Sequence, residues 1–255
     1  MNLIEEIKKD PNRLFVTFVV LVIGAILTRS VPILSFIALA PLFAMTDQPD
    51  SFRSSYRVIL VAFVAVLILY FFLQEKSILN IAIYLALSIA LFWTFTEVHH
   101  IRQNVVNMFM LVILHLGIEY LILKFTVTPQ SFFLADLIEH QPTWTRWNIH
   151  TGYLGSSLWI LSTNLIFYLA IFNSGKIRKW PFVIAILLVV LPIMYSLYLS
   201  NPAVNKTEMV MLYTNEGFEN IYSRNGELIS RTGAWVSVLI IIFTIVKSKT
   251  KRNQK

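Results

Sequence analysis

The sequence predicts an all-α integral membrane protein with about eight transmembrane helices, both termini in the cytoplasm and two short extracytoplasmic loop regions. Three observations predict it. Of 255 residues, 56% are hydrophobic and only 14% charged, whereas an average soluble domain carries roughly 25% charged residues with which to face water. Apolar runs recur along the whole chain, most of them near the length of about 20 residues that a helix needs to cross the hydrocarbon core. The Lys and Arg residues then fall unevenly between alternate connections, two thirds of them on the side of the N-terminus and of the basic tail "KSKTKRNQK", which is the bias of cytoplasmic loops.

Taken in order within a single transmembrane domain spanning 1–255, the segments are 14–28, 31–45, 58–73, 80–98, 105–123, 152–172, 180–199 and 232–246. The lead "MNLIEEIKKDPNR" mixes acidic with basic residues, and "GAILTRSVP" is a poor cleavage site, so the first segment reads as an uncleaved helix behind a short amphipathic stretch. Pro32 and Pro41 interrupt the second segment, and the first two could form either two crossings or a re-entrant pair. In either case the chain returns to the same side. An odd number of crossings would place the basic tail outside, so the charge bias favours eight. The two substantial outside loops, 124–151 and 200–231, are where extracytoplasmic chemistry is expected.

The net charge of +7 is accounted for by basic residues flanking apolar spans, so no nucleic-acid partner is predicted. The absence of cysteine excludes disulfides, thiolate metal sites and a Cys nucleophile within these residues. Glu97, His99 and His100 cluster in "FTEVHHIR" but supply no demonstrated ligand set, and they read as an interfacial polar cap. Neither a metal nor a cofactor is predicted. The "NSGK" at 173–176 lacks the upstream glycine of a phosphate loop.

His115 and Glu119 share one face of "LVILHLGIEYLIL". Ionisable groups at membrane depth cost at least about 2.5 kcal/mol by insertion scales and face the protein interior or a wet cavity. They are candidates for a lipid or proton site, or for a hydrogen bond between helices. In "EHQPTWTRWNIHTGYLGSSLWIL" (139–161), His140, Trp144, Arg146, Trp147 and His150 precede an apolar segment. The two Trp suit the headgroup level and Arg146 suits a phosphate, or the group simply anchors a loop at the interface. Gly152, Gly155, Ser156 and Asn164 are candidates for close helix packing, Asn164 through an interhelical hydrogen bond. No G-x-S-x-G elbow surrounds the serines.

The stretch "RWNIHTGYLGSSLWILSTNLIFY" resembles the sixth transmembrane segment of bacterial apolipoprotein N-acyltransferases, especially of the Bacteroidetes type. Trp147, Thr151, Gly152, Gly155, Ser157, Leu158 and Trp159 fit the family pattern. Ser156 replaces a usual Gly, and His150 stands where an acidic group is common. "VPILSFIALAPLF" is similar to the second segment, and Glu119–Tyr120 to an acidic–aromatic pair in the fifth. Tyr222, Arg224 and Gly226, with Glu227 for Asp, match the stretch leading into the last helix. In the family a nitrilase-like domain with a Glu-Lys-Cys triad precedes that stretch; here the outer loop 200–231 stands in its place, and its roughly 20 intervening residues cannot build a domain of at least about 50. The resemblance implies a non-catalytic inner-membrane protein that binds membrane phospholipid or lipoprotein, or serves as a subunit beside a membrane-protein partner. Alternatives are a membrane acyltransferase using non-cysteine chemistry and a lipid transporter.

Overall fold

A computed structural model describes residues 6–7, 10–27, 32–46, 105–125, 133–174, 176–200, 203 and 227–252. The expected segments 58–73 and 80–98, with Glu97, His99 and His100, lie outside the described residues, as do Tyr222, Arg224 and Gly226. Within them every element is helical: α1 (Pro11–Leu27), a 3-10 turn (Pro32–Phe36), α2 (Ala40–Thr46), α3 (Val105–Phe125), 3-10 turns Leu134–Ile138 and Pro142–Trp144, α4 (Asn148–Thr151), α5 (Gly155–Ile171), α6 (Lys179–Tyr198) and α7 (Leu228–Arg252).

The helix α1 starts where "DPN" dictates. Pro11 fills the first helical position, where a missing N–H costs nothing, and the Asp10 carboxylate accepts the Asn12 N–H at 2.9 Å. The segment expected at 31–45 is broken in two because Pro41 lacks an N–H and its ring would clash with the carbonyl four residues back. Asn164 of α5 repairs the break: its Oδ1 accepts the Leu39 N–H at 2.7 Å and its Nδ2 donates to the Ser35 carbonyl at 2.8 Å. Both pieces pack back against α1.

The central element is α5, which touches α2, α3, α6 and the Leu134–Ile138 turn. It buries Trp159, Ile160, Leu161, Leu165 and Tyr168 together with Ser156, Ser157, Thr163 and Asn164. Against it runs α6, whose Pro192 removes a helical donor; the Leu188 carbonyl four residues earlier instead accepts the Trp159 indole N–H at 2.5 Å. Along α3 lies α7 in close approach. A Cβ on Gly117 would lie 2.6 Å from Ser237 Oγ and 3.2 Å from the Ala234 Cα, and Ser237 donates to the Ile113 carbonyl across the contact at 3.2 Å.

Among the described residues one helix, α6, is long and apolar enough to cross a membrane; the apolar stretches Asn12–Ala25, Pro32–Met45, Gly155–Ile171 and Leu228–Phe243 are shorter. The apolar segment expected from residue 152 begins its helix only at Gly155, since Gly152 leaves helical geometry at φ 83°. The last helix begins at Leu228, four residues before the expected 232, and its first turn carries Ser230 and Arg231 beside Leu228 and Ile229. Only Ala185 and Ser196 of α6 are buried, and its flanks expose Val183, Ile184, Leu187, Leu191 and Met194.

Candidate functional site

The stretch 133–156 folds over the C-terminal end of α6 as three short turns, held from two sides. On the first side, Trp144 offers its carbonyl to Ser196 Oγ at 2.8 Å, Ser196 Oγ accepts the Trp147 N–H at 3.4 Å, and Arg146 Nη1 donates to the Leu199 carbonyl at 2.7 Å. Trp147 also stacks edge-on against Trp159, centroids 5.6 Å apart. On the second side, buried carboxylates receive backbone N–H groups that turns of this length leave without helical partners. Glu119, fully buried, accepts the Leu134 N–H at 2.7 Å; Asp136 Oδ2 accepts the Phe133 N–H at 3.3 Å; Glu227, also buried, accepts the Leu154 N–H at 3.3 Å and the Ser230 hydroxyl at 2.9 Å.

Between these supports lies a pocket of about 260 Å³ lined by Ala135, Glu139, Pro142, Thr143, Thr145, Arg146, Asn148, Tyr153, Ser156 and Ala203. Its wall chemistry is ordered from behind. The Tyr153 hydroxyl donates to Asp136 Oδ1 at 2.7 Å. Asn148 and Ser156 bond each other, Nδ2 to Oγ at 2.9 Å and Oγ to Oδ1 at 3.1 Å. The pocket therefore carries one cation, one carboxylate and several neutral hydrogen-bonding groups on a lining that is mostly apolar.

The candidates named from sequence separate into distinct places. Arg146 lines the pocket, with Trp144 and Trp147 supporting its rim against α6. His150 is exposed, its Nε2 3.4 Å from the Tyr195 hydroxyl, and His140 is exposed on the turn after Ile138. His115 and Glu119 are buried as an i, i+4 pair 3.5 Å apart; Glu119 holds the Leu134 turn and does not line the pocket. Gly152 lies outside α5. A Cβ there would sit 2.7 Å from the Glu227 backbone N and carboxyl carbon, so its close approach is to Glu227. Gly155 packs over Thr151 and Trp147, Ser156 bonds Asn148, and Asn164 spans to Leu39 and Ser35.

Sequence reasoning missed Asp136, Tyr153 and Ser196. A buried acid in an otherwise apolar "FFLADLI" was a signal, as was a serine near the end of a long apolar run.

A chain whose described elements are all helical, with a pocket holding Arg146 and Glu139 at the end of an exposed apolar helix, is the class that fold and site define. Compared with protein-family models, curated proteins and solved structures, the chain matches none.

Proposed function

We propose that the chain is a bacterial inner-membrane protein, derived from the membrane domain of the apolipoprotein N-acyltransferase family, that binds the headgroup of a phospholipid or lipoprotein and does not acylate it. The observation that carries the reading is the pocket around Arg146. A guanidinium has five N–H donors in a fork that suits phosphate. Among the described residues, the Leu199 carbonyl takes a bond from one of its nitrogens, which leaves capacity for an anion.

Support for the bilayer setting comes from α6. Trp180 and Tyr198, 80% and 85% exposed, bracket its exposed apolar flanks. Eighteen residues at 1.5 Å each separate them by about 27 Å, near the roughly 30 Å of hydrocarbon core with aromatic residues at both interfaces. With the N-terminus cytoplasmic, the pocket lies at the outer face, where headgroups are presented.

Native mass spectrometry of the detergent-solubilised protein tests the reading. Phospholipid should be retained by the wild type and depleted in Arg146→Gln at unchanged thermal unfolding. Equal retention in both proteins would refute the pocket as the lipid site. A lipopeptide N-acylated by the purified protein alone would refute the non-catalytic assignment.

A further inference from the structure

We infer that the segment Lys176–Trp180 is a second lipid site, at the opposite end of α6 from the pocket, selective for anionic phospholipid headgroups; the inference rests on the bilayer reading above. Lys176, Ile177, Arg178, Lys179 and Trp180 are all exposed, which places three cations and an indole within five consecutive residues. Among the described residues none of the three cations takes part in an ion pair. The chain also holds no Asp or Glu between Glu139 and Glu208, so the α5–α6 hairpin has no carboxylate of its own to neutralise them.

The backbone beneath these side chains is fixed. The Arg178 N–H donates to the Ala170 carbonyl at 2.8 Å, the Asn173 N–H to the Tyr168 carbonyl at 3.1 Å, and Ser174 Oγ to the Lys176 carbonyl at 2.9 Å. Three like charges are thus held together on a short turn, and they stand at the positive end of the α6 dipole, where cations are disfavoured. Phosphate groups in a lipid surface would relieve both repulsions. The Trp180 ring, beside the first exposed apolar flank of α6, fixes the depth at which that surface lies. Juxtamembrane cations attract anionic lipid additively, and salt screens the attraction within a Debye length.

Quenching of Trp fluorescence by brominated lipid tests this in the full chain reconstituted into vesicles. The Trp180 contribution is obtained as wild type minus Trp180→Phe. It should be quenched about two-fold or more by brominated phosphatidylglycerol relative to brominated phosphatidylcholine at equal mole fraction. That preference should vanish in the triple variant Lys176→Gln, Arg178→Gln, Lys179→Gln, and should fall in wild type on adding about 0.5 M salt. If the triple variant fails to fold, the salt dependence of the wild type still decides the matter. Equal quenching by both lipids, or a preference indifferent to salt, overturns the anionic site and leaves the bilayer reading standing. Quenching by neither lipid removes Trp180 from the bilayer and overturns both.

Discussion

The indole N–H of Trp159 meets the Leu188 carbonyl at 2.5 Å, four residues before Pro192. A proline in mid-helix normally leaves that carbonyl without its helical donor, and here a side chain from the neighbouring helix supplies one. The pair makes α5 and α6 a single unit. Trp159→Phe keeps most of the ring packing but orphans a carbonyl away from water, an effect worth about 1–3 kcal/mol. The check is a double-mutant cycle by thermal unfolding in detergent. In a Pro192→Ala background residue 192 regains its N–H, so Trp159→Phe should cost clearly less than in wild type. Equal costs in the two backgrounds would sever the link.

Asn164 makes a sharper case, because it acts as donor and acceptor at once. Asn164→Asp retains an acceptor for the Leu39 N–H but loses the donor to Ser35, and it places a carboxylate where no cation is bonded to the side chain. Asn164→Leu loses these bonds and the one its Nδ2 donates to the Ile160 carbonyl at 2.8 Å, without adding charge. Each should destabilise by about 2–4 kcal/mol, with Asp no better than Leu despite its shape. If Asp unfolds at the wild-type temperature, the donated bond to Ser35 contributes nothing and the repair of the Pro41 break lies elsewhere.

How far the sequence disclosed these arrangements depends on what each one requires. Apolar runs locate helices because burial follows local periodicity, and all the described helices over ten residues fall on segments recognisable from hydropathy alone. Ends are less legible. Gly152 takes φ 83°, and Glu227, 75 residues later, occupies the space a Cβ there would need; no local pattern encodes that approach. Pairings such as Trp159 with the Pro192-freed carbonyl are equally non-local. Arg146 was singled out from its aromatic neighbours, whereas Asp136 and Tyr153 were not, since an acid and a phenol 17 residues apart become partners only once the Leu134–Ile138 turn folds over α5.

The relation between Gly152 and Glu227 yields a prediction in its own right. Gly152→Ala must adopt a left-handed backbone and drive its methyl to within 2.7 Å of the Glu227 backbone N, a group that cannot rotate away. Strain of this type costs about 1–3 kcal/mol, and the clash adds to it. Glu227→Ala clears the carboxylate but not the backbone, so the double variant should remain well below Glu227→Ala in unfolding temperature. Full rescue by Glu227→Ala would show that the side chain alone sets the requirement for glycine.

Tyr153 separates support of the pocket from contact with its occupant. Tyr153→Phe removes the hydroxyl that donates to Asp136 at 2.7 Å, while the ring stays on the pocket wall, packed edge-on against Phe133 at 6.4 Å. Asp136→Asn retains an acceptor for that hydroxyl but replaces a carboxylate oxygen with an amide oxygen, a weaker acceptor. If the phenol oxygen contacts a bound headgroup, Tyr153→Phe should lower phospholipid retention several-fold at a stability cost of about 0.5–1.5 kcal/mol. Asp136→Asn, which also alters the Phe133 N–H contact at 3.3 Å, should then lower stability by more and retention by less. Parallel losses of retention and unfolding temperature in both variants would instead mean that the pair holds the turn and makes no contact with ligand. The ratio of the two losses, read by native mass spectrometry and thermal unfolding on the same preparations, decides between them.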